Sequence, residues 1–442
     1  MKTKHLQKSG LLTERDENQK CRRKLMKKYY SLIDKIYDKE NISLAIEKVK
    51  KGGKGPGIDG ITPDEIPWTV GDEIHQALKT NSYKAKPVRR VEINQGQKTR
   101  KLGLPTVKDK IVQQATKQIL EPLFDPDFHP SSYGYRPEKS CAKAIAKAEM
   151  FMAKYNLKYV LDMDLSKCFD TLDHEIIIDS FNKRVSDGKV LNLLKQFLKS
   201  GVVEDGGLKP TETGAPQGGV ISPLISNVYL DAFDKHMREN DIRIVRYADD
   251  ILVFAKTKAQ LMKYKQIAER KLEEMKLKIN ATKTKVTHLS QGVNFLGTYI
   301  TGKYIAIERK RIQRIKDKIR KVTRRNQSRP MKQIIMKLNQ ILQGWINYYK
   351  IANCKRLLGE LMSWIRRRLR MIKMAQWKSY KPLHKILRRK GLEGELPKIA
   401  VNKWKNSSCY HIHKALPNEY FDNLGLFDLT KVEVGILSCY RE

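Results

Sequence analysis

The chain has 442 residues, 88 Lys and Arg against 48 Asp and Glu, a formal net charge of +40, and 40% hydrophobic residues. That length and apolar content give two to four domains with real cores, and the charge points to a polyanion partner, nucleic acid ahead of an acidic membrane surface. No apolar run approaches the ~20 residues that span a bilayer, the basic start 1–8 lacks the apolar core of a signal peptide, and six cysteines without a CxxC pair read as reduced thiols of a cytoplasmic protein, not a disulfide framework or structural zinc site.

Residues 1–40 read as a basic N-terminal extension leading into a helix. Ile42, Ala45, Ile46 and Val49 carry helical spacing up to a Gly-rich stretch. Gly55-Pro56-Gly57-Ile58-Asp59-Gly60 matches no P-loop, since no Lys-Ser or Lys-Thr follows, and reads as a connecting loop. Residues 83–104 alternate apolar and basic side chains about Gln95-Gly96-Gln97, predicting a hairpin that carries Lys84, Lys86, Arg89, Arg90, Lys98, Arg100 and Lys101. So many cations on a short ribbon favour phosphate contact over a merely solvated edge. A helix follows over 106–120, with Pro122 and Pro126 expected to stop it. Next come an aromatic loop, Tyr133-Gly134-Tyr135-Arg136-Pro137, a helix over about 138–153, and a buried strand over 159–165 that ends in Asp162 and Asp164. Helices over 174–181 and 189–198 lead to a second Gly-rich loop, 213–219, which opens an apolar helix over 221–233.

Ile242, Ile244 and Val245 precede Arg246-Tyr247-Ala248-Asp249-Asp250, and Ile251, Leu252, Val253 and Phe254 follow it. The flanks read as two strands with the acids at the turn. An amphipathic helix over 258–276, a segment holding Asn280 and Lys283, and a hairpin over 293–305 complete this part. Between 301 and 400 there are 29 Lys and Arg against 5 Asp and Glu. Three helices lie there, with apolar stripes through Ile312–Val322, Ile334–Tyr349 and Leu357–Ile372 and basic opposite faces. Interleaved Trp345, Tyr348, Tyr349, Trp364 and Trp377 favour a nucleic-acid surface over a plain solvated face, with Lys318, Arg325, Arg366 and Arg367 as candidate contacts beside Trp345 and Tyr349. Residues 391–442 form a small mixed region whose His411 and His413 read as incidental.

Two adjacent carboxylates at a buried hairpin tip repel each other and need a counter-charge, although a lone Asp-Asp is most often a solvated turn. If the strand ending at Asp164 neighbours this hairpin, three carboxylates converge and suit two Mg²⁺ ions, with Mn²⁺ as a substitute, for in-line nucleotidyl transfer. The surroundings agree. Phe169 would lie under the sugar and exclude a 2′-hydroxyl, Gln217, Gly218 and Gly219 would let backbone approach the nucleotide, and Lys283 would steady the leaving pyrophosphate.

The order Asp164-x4-Phe169-Asp170, Ala215-Pro216-Gln217-Gly218-Gly219, Tyr247-Ala248-Asp249-Asp250 and Phe295-Leu296-Gly297 resembles the reverse transcriptases. Gly57-Ile58-Asp59-Gly60, Leu102-Gly103-Leu104-Pro105-Thr106, Tyr133-Gly134-Tyr135-Arg136-Pro137 and Gly344-Trp345-Ile346-Asn347-Tyr348-Tyr349 narrow the likeness to bacterial group II intron-encoded reverse transcriptase/maturases over roughly residues 40 to 385. The resemblance implies an α+β right-hand polymerase: fingers and palm with a ferredoxin-like antiparallel sheet over 41–300, a helical thumb and maturase domain over 301–390, and a small DNA-binding-like region over 391–442. It implies Asp164, Asp249 and Asp250 as metal ligands with a carbonyl from Leu165. Arg100 and Lys98 would meet the triphosphate, Phe169, Gln217, Gly218 and Lys283 would bind nucleotide, Phe295-Leu296-Gly297 would be the primer grip, and Arg136 would touch nucleic acid. Expected partners are the group II intron RNA, an RNA template/DNA primer duplex, target DNA and dNTPs, with no membrane and with the nucleoid when DNA-bound. The lack of paired cysteines resembles class C, without the endonuclease domain of many relatives. The rival readings are an RNA-binding splicing factor with little polymerase role, and a domesticated reverse transcriptase in defence or repair.

Overall fold

The computed structural model describes residues 28–95, 98–204, 206–401, 404–405 and 409–440. Most of the predicted basic extension, and the side chain of Lys98, lie outside the described residues. The chain divides into two compact units, residues 1–144 with 157–286, and residues 145–156 with 287–442. This division falls earlier than the expected boundary at 300 and draws a piece of the 138–153 helix into the second unit.

The first unit opens with α1 (Ile33–Tyr37), α2 (Lys39–Lys51) and α3 (Val70–Lys79). Asp38 caps α2 by accepting from the backbone N–H of Glu40 and Asn41, and Ile42, Ala45 and Val49 form its buried stripe. The basic ribbon is present as β1 (Val88–Gln95) and β2 (Lys98–Leu104), antiparallel from Gln95 opposite Lys98 to Arg89 opposite Leu104. Next is α4 (Val107–Phe124), capped by Thr106. It does not stop at Pro122. The ring removes one helical bond, while buried Leu120 and Phe124 hold the last turn on either side of it.

α5 (Cys141–Ala153) precedes β3 (Tyr159–Asp164), followed by α6 (Cys168–Thr171), α7 (His174–Asn182) and α8 (Gly188–Lys199). A short hairpin that the sequence did not announce, β4 (Val202–Glu204) and β5 (Gly207–Lys209), joins the basic ribbon through Val88 beside Val202. α9 (Ser222–Glu239) starts a full turn after the Gly-rich loop, and leads into β6 (Arg243–Tyr247) and β7 (Asp250–Ala255). α10 (Lys258–Glu274) and β8 (Lys285–His288) follow. The central sheet has the order β6-β7-β3-β8, with β7 antiparallel to both β6 and β3. α9 and α10 bury Leu230, Phe233, Leu261 and Leu272 in the same core as Leu161, Met163, Ile251 and Val253 of the sheet, which makes the strand ends rigid.

The second unit begins its sheet with β9 (Val293–Phe295), β10 (Thr298–Ile300) and β11 (Ile305–Ile307), a three-stranded antiparallel meander where a hairpin was expected. The three expected helices are α11 (Arg309–Val322), α12 (Met331–Tyr349) and α13 (Lys355–Gln376). Their apolar stripes are buried, with Ile315, Ile319, Leu338, Leu342, Leu361 and Leu369 nearly inaccessible. α14 (Lys381–Arg389), α15 (Tyr410–Ala415) and α16 (Asn418–Asp422) complete it. Among the described residues no helix is long and apolar enough to cross a membrane.

Candidate active site

Tyr247 and Asp250 close the β6–β7 ladder, leaving Ala248 and Asp249 as a two-residue turn, with Ala248 in the left-handed region at φ 58°. Across the sheet, Asp164 is paired directly opposite Asp250. The neighbourhood of strands that the sequence reading required is therefore present. Asp164 Oδ2 accepts from Lys283 Nζ at 2.6 Å and from Asn280 Nδ2 at 3.3 Å, while the Asn280 N–H donates to the Asp164 carbonyl at 2.8 Å. Leu165 is buried and bridged to Ile279, which seats the backbone after Asp164.

Burial, and then the charges of Asp249, Asp162 and Asp164, push the Asp250 carboxyl up to about 7, against the opposing pull of Lys283. Asp162, two residues before Asp164 and so on the same strand face, is pushed up to about 6 by burial and by Asp164, with Lys285 opposing. Four carboxylates thus face two lysines, and acidic groups outnumber cations at the site. As the side chains stand, no three His, Cys, Asp or Glu among the described residues are grouped tightly enough to hold a metal ion. The raised Asp250, the oxygen-only donor set and the lysine drawn onto Asp164 nevertheless fit a hard divalent cation.

Phe169 is buried on α6, and its carbonyl accepts from the N–H of Ala215 at 2.8 Å, fastening the loop 213–219 to that turn. Gly103 N–H donates to the Gln217 carbonyl at 2.6 Å, fastening the same loop to β2. Gly218, at φ 111°, lies so close to the Gly103 carbonyl that a Cβ would clash. Gln217 bridges with both ends of its amide: Oε1 accepts from Arg100 Nε at 3.4 Å, and Nε2 donates to Asp170 Oδ1 at 3.2 Å. Not every ribbon cation is free for phosphate. Glu204 of β4 takes Lys101 at 2.6 Å and Lys209 at 2.8 Å, which hold its carboxyl well below the usual range.

In the second unit, Leu296 and Gly297 turn between β9 and β10 with φ of 48° and 77°. Tyr348 Oη donates to the Leu296 carbonyl at 2.9 Å. A groove of about 670 Å³ runs between α11 and α12, lined by Arg311, Arg314, Lys318, Gln340, Trp345 and Tyr348 among others. Lys318 is exposed in it, and the Trp345 indole N–H is buried without an acceptor among the described residues. Tyr349 is buried instead, with its hydroxyl against Gly297. Arg367 is half-buried, and Arg325 donates to the Val401 carbonyl at 3.0 Å.

Two of the expected nucleic-acid contacts are already engaged within the fold. Arg136 is used inside the fold: its side chain is 6% exposed, paired with Asp125 at 2.7 Å, bonded to the carbonyls of His129 and Ser132, and stacked over Phe128. Arg366 is likewise enclosed, held by Asp422 at 3.2 Å and Asp428 at 3.1 Å. Sequence reading quoted Arg246 and Gly134 within motifs without giving them a role and did not single out Asp234 or Asn227; the four are linked behind the turn carrying the acids. One signal was available: an arginine inside an otherwise apolar strand needs a buried partner.

Residues 92–300 match the family described as reverse transcriptase (RNA-dependent DNA polymerase), and this stretch contains both Asp164 and the Asp249-Asp250 turn. The fold is therefore reverse-transcriptase-like. Residues 312–391 match the group II intron maturase-specific domain. The chain belongs to the group II intron-encoded reverse transcriptase/maturase family. It is 33% identical to Protein YkfC of Escherichia coli over 289 residues, covering 56% of this chain and 76% of that protein. It is 33% identical to the group II intron-encoded protein LtrA of Lactococcus lactis over 220 residues, 49% of this chain and 35% of that one. The putative COX1/OXI3 intron 2 protein of Saccharomyces cerevisiae is 29% identical over 66% of this chain and 42% of its own length. The match thus spans about a third of LtrA. Among solved structures, telomerase from Candida albicans aligns with a TM-score of 0.41 at 11% identity, over 75% of this chain and 66% of that one.

Proposed function

We propose that this chain is an RNA-directed DNA polymerase that binds its group II intron RNA, assists its splicing, and copies it at a DNA target. The observation that carries the polymerase reading is the β3–β7 register, which sets Asp164 opposite Asp250 and beside the Asp249 turn. Asp164, Asp249 and Asp250, with the Leu165 carbonyl, would hold two Mg²⁺ ions, or Mn²⁺ in their place. The chemistry supplied by ions held there would be activation of a primer 3′-hydroxyl and neutralisation of the triphosphate and leaving pyrophosphate.

The chain's own groups supply the rest. Arg100 and Lys98 bind the triphosphate of the dNTP. Phe169 closes the space under its sugar. Gln217 and Gly218 present backbone to the nucleotide, held in place by β2 and Asp170. Lys283 sits on Asp164 and offers a cation to the departing phosphate. In the second unit, the Phe295-Leu296-Gly297 turn serves as primer grip, and Lys318, Arg325, Trp345 and Arg367 serve the template–primer duplex and the intron RNA. The maturase-specific match and the groove support that division.

The test is primer extension on an RNA template with Mg²⁺ and dNTPs. Wild type extends, and Asp249→Ala loses about 10³-fold or more of the rate, the scale of removing a ligand from a two-metal site. Equal extension by the two proteins sinks the reading.

A further inference from the structure

Arg246 is fully buried on β6 between apolar neighbours, and its guanidinium has a partner in every direction. Nε donates to both oxygens of Asp234 at 2.9 Å, and Nη2 adds a bond to Asp234 Oδ2 at 2.6 Å. Asp234, on α9, is itself wholly buried. Nη1 turns the other way, to Asn227 Oδ1 at 3.1 Å and to the carbonyl of Ala248 at 3.2 Å. Asn227 continues the chain by donating to the Gly134 carbonyl at 2.8 Å. Gly134 lies so near the turn that a Cβ on it would overlap the backbone nitrogen of Ala248. The backbone repeats the tie: Arg246 N–H donates to Ser131 at 2.9 Å, and Tyr133 N–H donates to Arg246 at 2.9 Å.

We propose that Arg246 is a positioning residue for nucleotidyl transfer, holding through the Ala248 carbonyl the turn that presents Asp249 and Asp250. The proposal rests on the polymerase reading. Ala248 is a non-glycine residue in the left-handed region, a disfavoured conformation that persists only where its surroundings determine it. The Arg246 fork on one side and Gly134 on the other are those surroundings. A role confined to stability is the weaker account, because a buried ion pair replaced by apolar residues of similar volume often leaves stability unchanged or higher. Asp234 satisfies the charge, while the remaining nitrogen is directed at the turn.

That separation sets the experiment, carried out on the full chain. Arg246→Met combined with Asp234→Leu removes both charges together and keeps the volume. Its thermal midpoint should stay near wild type, while primer extension at saturating Mg²⁺ falls about 10²-fold, the scale of a catalytic group displaced by an ångström. The affinity for Mn²⁺, read by electron paramagnetic resonance, should weaken several-fold, and template–primer affinity should not change. Arg246→Lys is the second variant: it keeps the charge beside Asp234 but cannot fork to three acceptors, and it should show the same losses. A double variant or an Arg246→Lys protein that extends primer and binds Mn²⁺ like wild type overturns the proposal. A wild type that extends no primer overturns the polymerase reading itself, and the two failures are told apart by which protein is silent.

Discussion

Asp250 holds its proton far above the ordinary carboxylate range, up to about 7, because it is half-buried among Asp249, Asp162 and Asp164. Its folded pKa lies above its unfolded one, so the folded state binds the extra proton. The stability it contributes is complete at pH values below the unfolded pKa and is lost as pH rises through about 7. Asp162, pushed up to about 6, acts in the same direction. Without divalent ions, the thermal midpoint should therefore fall between pH 5 and pH 8. Asp250→Asn should flatten that fall and gain on the order of 1 kcal/mol above pH 7 after solvent screening, while abolishing extension. A melting series across pH for both proteins decides it, and an unchanged slope in the variant refutes it. The acids themselves were legible, because Asp249 and Asp250 are adjacent in sequence and Asp164 stands at a fixed spacing from Phe169-Asp170. The partners of the Arg246 side chain were not, since Asn227 and Asp234 lie on the preceding helix and meet it only after folding. The ion pairs of Arg136 with Asp125 and of Arg366 with Asp428 were illegible for the same reason: a cation on a loop or helix does not announce its acidic partner.

Elements were legible wherever apolar residues repeat. α2, α11, α12 and α13 bury the stripes their spacing defines, and the β6–β7 hairpin falls within two residues of its expected limits. α3 and the β4–β5 hairpin escaped because each is short, and three-residue strands carry too few alternations to stand out. That hairpin matters, since its Glu204 collects Lys101, Lys209 and the edge of Arg90. Glu204→Gln should free these cations for phosphate and tighten binding of a short oligonucleotide several-fold at low salt. Its lysine partners are solvent-exposed, so the melting temperature should stay near that of wild type. A binding titration beside a melt reads both, and weaker binding in the variant would show that Glu204 holds the ribbon in its productive shape.

At the scale of the molecule, the formal charge of +40 is concentrated in residues 301–400 on helices whose apolar sides are buried. Phosphates neutralised there release counterions, so affinity for RNA should drop about 10³-fold or more between about 50 mM and about 200 mM salt. A filter-binding series measures the slope, and an affinity indifferent to salt contradicts the nucleic-acid surface. The same charge acts on the protein when it is alone. Arg368, stacked on Trp364 at 5.2 Å, is pulled below its usual pKa by burial and by the nearby Arg320 and Arg367. Such crowding of like charge is internal pressure on the fold, and a polyanion relieves it to the extent that it binds the folded form more tightly than the equally cationic unfolded chain. An RNA that binds in that way would act as a folding ligand, and a copy of the chain without it would be the less durable copy. Supply of the RNA would in that way set how long each protein molecule survives.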